Sequence, residues 1–211
     1  MRTYRAADAG APLLTLAPGA GAGEDHPWMQ RAGRGLAARG VTVVTFDFPY
    51  RLAGRRLPDR NPVLEAAYLE AWRTITAAHA GAAAFCIGGK SMGGRIATQV
   101  TAGGALTPAP AALVCFGYPL HPPGRPAQRR DRHLPSVGRP ILFLHGSRDP
   151  FGGPDEMTEL MTWLPQATLS LVDGGDHSLA LPARQDPDGR AFERVLDTAA
   201  QWIRRTTAAA T

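Results

Sequence analysis

Residues Ala83–Gly94 read AAFCIGGKSMGG. A short apolar run stops at a Gly-Gly pair, a lone serine follows, and a second Gly-Gly pair comes after it. Arg95–Thr101 (RIATQVT) then resumes with spacing that suits a helix. Gly89, Ser91 and Gly93 match G-x-S-x-G, which in a strand–turn–helix context is a nucleophile elbow. The chemistry explains the spacing. A serine hydroxyl that must stand clear of a buried strand needs a backbone bent so sharply that neighbouring side chains would collide, and glycine has no Cβ to collide. The helix that follows turns its N-terminal N–H groups toward the place where an oxyanion would form. Alone, the pattern is weak in a chain with 24 glycines. The strand and helix on either side give it weight.

Working outward, 211 residues suffice for one domain with a single sizeable core, and the reading is one domain over 1–211. Hydrophobic residues make up 44% and charged residues 19%, a globular balance. No apolar run approaches the ~18 residues of a membrane span. The first twenty residues show no sustained apolar region before a small-residue cleavage site, so no signal peptide is expected. Cys86 and Cys115 each sit inside an apolar run and read as reduced core residues without metal-ligand spacing. A cytoplasmic location is expected, with no metal and no cofactor.

The net charge is +5, and Lys90 is the only lysine. So much arginine beside so much alanine, glycine and proline reads as compositional bias. The cluster Arg125–Arg132 (RPAQRRDR) has no interleaved aromatics and fits no nucleic-acid module. A solvated loop is expected there, with attraction of anionic substrates as the functional alternative.

In chain order, Leu13–Leu16 is a strand running into the small-residue loop Ala17–Gly23 (APGAGAG). That loop could cradle phosphate or offer a backbone N–H to an oxyanion. The spacing does not match a phosphate loop and no lysine follows. Trp28–Arg39 reads as a helix, Val41–Phe48 as a buried parallel strand and Arg51–Asn61 as a surface loop. Pro62–Ala80 is the next helix. After the elbow come a strand at Ala112–Gly117 and the long aperiodic segment Tyr118–Pro140, expected to lie over the site. A strand at Ile141–Leu144, a helix at Asp155–Leu164, a strand at Thr168–Val172 and an amphipathic helix at Arg190–Thr206 complete the order. Strands alternating with helices predict an α/β fold, a mostly parallel sheet covered on both faces. Ligands then bind at the strands' C-terminal ends. Gly19–Gly21, Asp47, Ser91, Tyr118, Asp149 and His177 all fall at such ends.

Of six histidines, only His177 follows the last strand in a turn-rich loop (GGDHS), where it could serve Ser91 as base. Asp149, after the preceding strand, could orient it. Asp149 before Pro150 could equally be a turn-former, with Asp176 and Asp173 as rival acids, and His145 could be a satisfied core histidine. The order Ser91, Asp149, His177 is that of α/β-hydrolases. For the oxyanion, one N–H is expected from Met92. The other comes from the first loop, where Pro18 has none: Ala20 is favoured, then Gly19. Tyr50, Tyr118, His121 and Phe151 are expected to wall the substrate site.

These residues match more than a generic pattern. GGKSMGGR, FDFPY, GYPLHPPG, HGSRDPFG and GGDHSL resemble a family of small α/β-hydrolases described in bacteria as dienelactone-hydrolase-like. Its animal relatives include a subunit of a histone acetyltransferase complex. The resemblance runs from Leu13 to the last helix. It implies an α/β-hydrolase fold with a minimal cap, and Ser91, Asp149 and His177 as nucleophile, acid and base. Dienelactone hydrolases proper use a cysteine nucleophile where this chain has Ser91, so dienelactone itself does not carry over as substrate. Many relatives have a histidine before the glycine where this chain has Ala17-Pro18-Gly19. The expected function is a serine hydrolase acting on a small carboxylic ester or thioester, without nucleic-acid or membrane partners. The alternative is a non-catalytic scaffold on the same fold.

Overall fold

A computed structural model describes residues 1–209; the last two residues of the expected domain, 210 and 211, lie outside the described residues. Seven strands form one sheet: β1 (Arg2–Tyr4), β2 (Leu13–Ala17), β3 (Thr42–Thr45), β4 (Phe85–Lys90), β5 (Ala112–Phe116), β6 (Ile141–Gly146) and β7 (Ala167–Val172). Their spatial order is β1-β3-β2-β4-β5-β6-β7. All neighbours run parallel except β1, which is antiparallel to β3. The sequence pattern did not reveal β1, because three residues between charged neighbours are too few to show a period.

Side chains alternate along each strand, and in the inner strands both alternating sets are buried, whereas the edge strands β1 and β7 are only partly covered. Leu13, Ile87, Leu113, Cys115, Ile141 and Phe143 point to one face, where α3 (Asn61–Ala78), α4 (Met92–Ala102) and α5 (Pro154–Thr162) cover them. Leu14, Leu16, Cys86, Val114, Phe116 and Leu142 point to the other, beneath α1 (Pro27–Ala37) and α6 (Ala191–Ala208). Burial on both sides explains why the inner strands read as unbroken apolar runs. Each buried large apolar side chain contributes about 1.5–3 kcal/mol, and this two-sided core holds the strand ends in place.

Two connections differ from expectation. Pro49–Leu52, at the edge of the expected surface loop, forms a single helical turn, α2, that buries Tyr50. The segment expected to lie over the site is instead folded into the core beside α4. Tyr118, Leu120, Leu134 and Val137 are buried in the α3–α5 cluster, and Leu134–Val137 forms a 3₁₀ turn. Its buried anchors sit at 118–121 and at 131, 134 and 137 with an exposed arginine-bearing stretch between them, so the segment shows no period. The same strand order leaves a groove of about 970 Å³ at the opposite edge of the sheet, lined by Tyr4, Gly10, Pro12, Arg39 and Arg204. It lies at the strands' N-terminal ends, away from the elbow.

Candidate active site

The elbow is built by close backbone approach. A Cβ on Gly89 would come within 2.4 Å of the Gly93 carbonyl carbon, and one on Gly93 within 2.4 Å of the Ala17 carbonyl oxygen. Real Cβ atoms do not come so close, so only glycine lets β4 turn this sharply into α4 against β2. The residue at the bend, Ser91, has φ 49° and ψ −116°. A non-glycine residue in such a conformation stores strain of order 1–3 kcal/mol. Its backbone is fixed by the Ser91 N–H donating to the Phe116 carbonyl at 2.9 Å.

Across the sheet edge, the Ser91 hydroxyl lies 2.8 Å from His177 Nε2. His177 Nδ1 lies 2.7 Å from Asp149 Oδ2. The other Asp149 oxygen accepts the Phe151 N–H at 2.9 Å, so both oxygens are engaged and the carboxylate is held in one orientation. Asp149 is 4% exposed and His177 half-buried. The imidazole is clamped by the Phe151 ring, with centroids 4.2 Å apart. Asp176 faces elsewhere, accepting the Ser178 and Ala180 N–H groups. Asp173 accepts from the Ser147 hydroxyl. His145 is fully buried, and its Nε2 donates to the Gly152 carbonyl at 2.8 Å. Burial drives its pKa down, so it is a neutral brace of the Asp149 turn.

In the first loop, the Gly21 N–H donates to the Tyr50 hydroxyl and the Ala22 N–H to the Gly19 carbonyl. Gly19 and Ala20 keep amides with no protein acceptor among the described residues. Gly19 lies against Ser91: a Cβ there would sit 3.6 Å from Ser91 Cβ. Met92 opens α4, and the first N–H groups of a helix have no intrahelical acceptor. The free donors therefore flank Ser91 from β2 and from α4.

A profile of the alpha/beta hydrolase domain family matches residues 10–208. The chain belongs to that family. Solved structures share the fold at low identity. Est1E from Butyrivibrio proteoclasticus with bound ferulic acid superposes at a TM-score of 0.76, with 13% identity over 98% of this chain and 94% of that one. Dienelactone hydrolase from Anabaena variabilis gives 0.73, with 19% identity over 96% and 89%. The esterase domain of a Rhodothermus marinus protein gives 0.67, with 20% identity over 96% and 91%.

Three of the four expected wall residues of this α/β hydrolase are buried behind the strand ends instead of lining an open surface. Tyr50 and Tyr118 have no exposed surface and His121 is 5% exposed. The Tyr50 hydroxyl is spent on the first loop. Tyr118 donates to the Arg130 carbonyl at 2.7 Å. Both His121 nitrogens are taken, by the Pro122 carbonyl and by Glu156 Oε2. Aromatic and imidazole residues near a strand end were read as wall, but here they brace the loops behind it. Phe151, half-buried against His177, remains at the surface of the site.

Reading the sequence also missed Lys90. Its ammonium, 9% exposed, donates a short hydrogen bond to the His177 carbonyl. It sits 5.9 Å from the centre of the Trp28 ring. Trp28 Nε1 in turn donates to the Ser178 carbonyl at 3.1 Å. Consecutive carbonyls of the histidine loop are thus held from β4 and from α1. The loop is closed below by Leu179, fully buried at φ 64°. Burial pushes the Lys90 pKa down to about 8, with Asp149 and Asp176 opposing that shift. The available signal was a lone lysine in an arginine-rich chain, beside the serine. Among the described residues no group of three His, Cys, Asp or Glu side chains could hold a metal ion. No helix among them is long and apolar enough to cross a membrane.

Proposed function

We propose that the protein is a serine hydrolase that cleaves small carboxylic esters or thioesters through an acyl-enzyme. What carries this reading is the unbroken relay from the Ser91 hydroxyl through His177 to a buried Asp149, at 2.8 and 2.7 Å. A serine hydroxyl is a weak nucleophile until a base takes its proton. His177 Nε2 accepts that proton as Ser91 Oγ bonds to the carbonyl carbon, and Asp149 stabilises the imidazolium while fixing its tautomer. Charge then builds on the carbonyl oxygen. The Met92 amide and the Gly19 or Ala20 amide donate to it, an arrangement whose donors are each worth about 10²–10³ in kcat. The protonated His177 gives its proton to the leaving alcohol or thiol. Water, deprotonated by the same base, releases the acid and restores Ser91. Esters are the substrate class we propose because proteins solved as esterases, Est1E and the Rhodothermus marinus esterase domain, share this fold.

The test is labelling by a fluorophosphonate probe, followed by turnover of short-chain 4-nitrophenyl esters. Native protein is expected to label and to hydrolyse the esters. Ser91→Ala and His177→Ala should do neither, with turnover lower by about 10⁴-fold or more. A well-folded native protein that fails to label overturns the reading and favours the scaffold alternative.

A further inference from the structure

The arginine segment after β5 is exposed over residues 123–128, as expected, and turns back against the protein at 129–133. It closes a cleft of about 440 Å³ between the start of α3, the outer side of α4 and residues 129–133. Arg95, Arg129, Arg130 and Arg132 all line it, together with Asn61 and His133. Four guanidinium groups on one cleft repel one another, so the carboxylates nearby decide what the cleft can hold. Asp131 pairs with Arg129 at 2.5 Å, and Glu159 reaches the same Arg129 at 3.7 Å. Among the described residues, Arg95, Arg130 and Arg132 form no ion pair.

Arg95 is the informative member. It is half-buried, and its terminal nitrogens meet only neutral amides, Asn61 Oδ1 at 3.2 Å and Gln99 Oε1 at 3.0 Å. Its Nε is buried with no acceptor. Burial, and then the nearby Arg130 charge, disfavour its charged form. His133 is kept neutral, its pKa pushed down to about 4 by burial and by Arg95, while its Nε2 meets the Thr98 hydroxyl. A half-buried guanidinium held only by neutral amides beside a like-charged neighbour has no paired oxyanion; the nearby Tyr118 and Glu65 favour its charge without pairing with it. Arginine presents a planar fork of donors matched to carboxylate and phosphate.

The cleft also has a defined place relative to the chemistry. Arg95 stands one helical turn after Ser91, and its N–H donates to the Ser91 carbonyl at 3.1 Å. That is a rise of about 6 Å along α4.

We propose that this cleft binds a carboxylate or phosphate group carried at the far end of the ester that Ser91 attacks, so that the preferred substrates are anionic esters. The inference rests on Ser91 being the nucleophile. Its anion-binding half does not. Arg95 and Arg130 hold the anion, Arg132 adds field at the mouth, and Asn61 and Gln99 keep Arg95 in place.

Two measurements on native protein and Arg130→Gln test this. Arg130 is chosen because its backbone, which anchors Tyr118 and Leu120, is untouched. Equal melting temperatures confirm the fold, and Arg132→Gln is the fallback. The first measurement is calorimetric titration with inorganic phosphate, which needs no turnover. The second compares kcat/KM for 4-nitrophenyl butyrate with that for the 4-nitrophenyl monoesters of glutaric and adipic acid. Phosphate should bind native protein and bind Arg130→Gln about tenfold or more weakly, the size of a lost hydrogen bond to a charged group. The monoesters should be preferred by native protein, inhibited competitively by phosphate, and lose about the same factor in Arg130→Gln. Butyrate turnover should not change. Absence of phosphate binding, or binding indifferent to Arg130, overturns the anion site. Phosphate binding without preference for the monoesters overturns its role in substrate selection. If no ester is turned over yet phosphate binds through Arg130, the esterase reading falls and the anion site stands.

Discussion

At the residue scale, Lys90 is the side chain whose chemistry most exceeds its place in the motif. A lysine beside Ser91 could have pointed to solvent; this one is buried and bonds the carbonyl of His177, whose ring lies against the Ser91 hydroxyl. Burying it is costly. In the unfolded chain it titrates near 10.5 and in the folded one near 8, a difference worth ~3 kcal/mol against the charged form. The sign follows from proton uptake. Between those two values the unfolded state holds more protons, so this group makes the fold more stable as pH rises through that window, and its penalty is complete below pH 8. Lys90→Met removes the penalty and loses one hydrogen bond of about 1–2 kcal/mol. The variant should therefore melt no lower than native protein at pH 7, yet turn over more slowly, by about tenfold in kcat, with KM little changed. A native kcat profile should also fall above pH 8, as the ammonium that holds the His177 loop becomes an amine and its bond weakens by about half. That fall should be missing in Lys90→Met. Thermal melts and a pH–kcat series check both. A variant that melts much lower while keeping native kcat would make Lys90 purely structural.

At the scale of elements, the candidate site is a meeting of four strand ends, those of β2, β4, β6 and β7, with the loops that follow them, and the loops are braced from behind. The loop after β2 depends on α2, a single turn whose Tyr50 hydroxyl accepts the Gly21 N–H at 3.1 Å and faces the Gly19 carbonyl at 3.5 Å. Tyr50→Phe keeps the ring stacked on Phe48 and removes only that brace. Stability should fall by about 1 kcal/mol. Turnover should drop about tenfold through kcat if the loop's amides stabilise a developing oxyanion, as stopped assays with a short ester would read. Unchanged kcat would detach this loop from the chemistry. The elements themselves were legible: β4, α4 and the inner strands announced themselves because burial on both faces leaves no polar interruption. Ser91, Asp149 and His177, which the structure brings within hydrogen-bond reach of one another, could be picked out because turn residues at successive strand ends are few. The braces were not legible. Tyr50, Tyr118 and His121 sit at strand ends too, and nothing in their local pattern says whether a polar tip faces substrate or a neighbouring backbone. β1 was too short to show a period, and the segment after β5 alternates buried anchors with arginines in no regular order.

For the whole molecule, the sheet separates two functions of one chain. Its two apolar faces carry the fold, under α3–α5 on one side and α1 with α6 on the other. Its C-terminal edge carries the candidate site. A net charge of +5 acts on top of this arrangement, and read as bare composition it points nowhere. In three dimensions part of it gathers beside the nucleophile's helix, in arginines without carboxylate partners. A field from half-exposed charges reaches only as far as the salt allows, about 10 Å at 0.1 M. An anionic ester should therefore be drawn to the site at low ionic strength and released from that attraction at high. Its kcat/KM should fall severalfold between roughly 20 and 300 mM sodium chloride, mainly through KM. A neutral ester of the same length, attacked by the same Ser91, should show a flat response. Arg130→Gln should flatten the slope of the anionic ester without altering the neutral one. Equal slopes for the two esters in native protein would mean that the positive charge is only a solvated surface, and that substrate choice rests on the shape of the site around Phe151 and His177 instead.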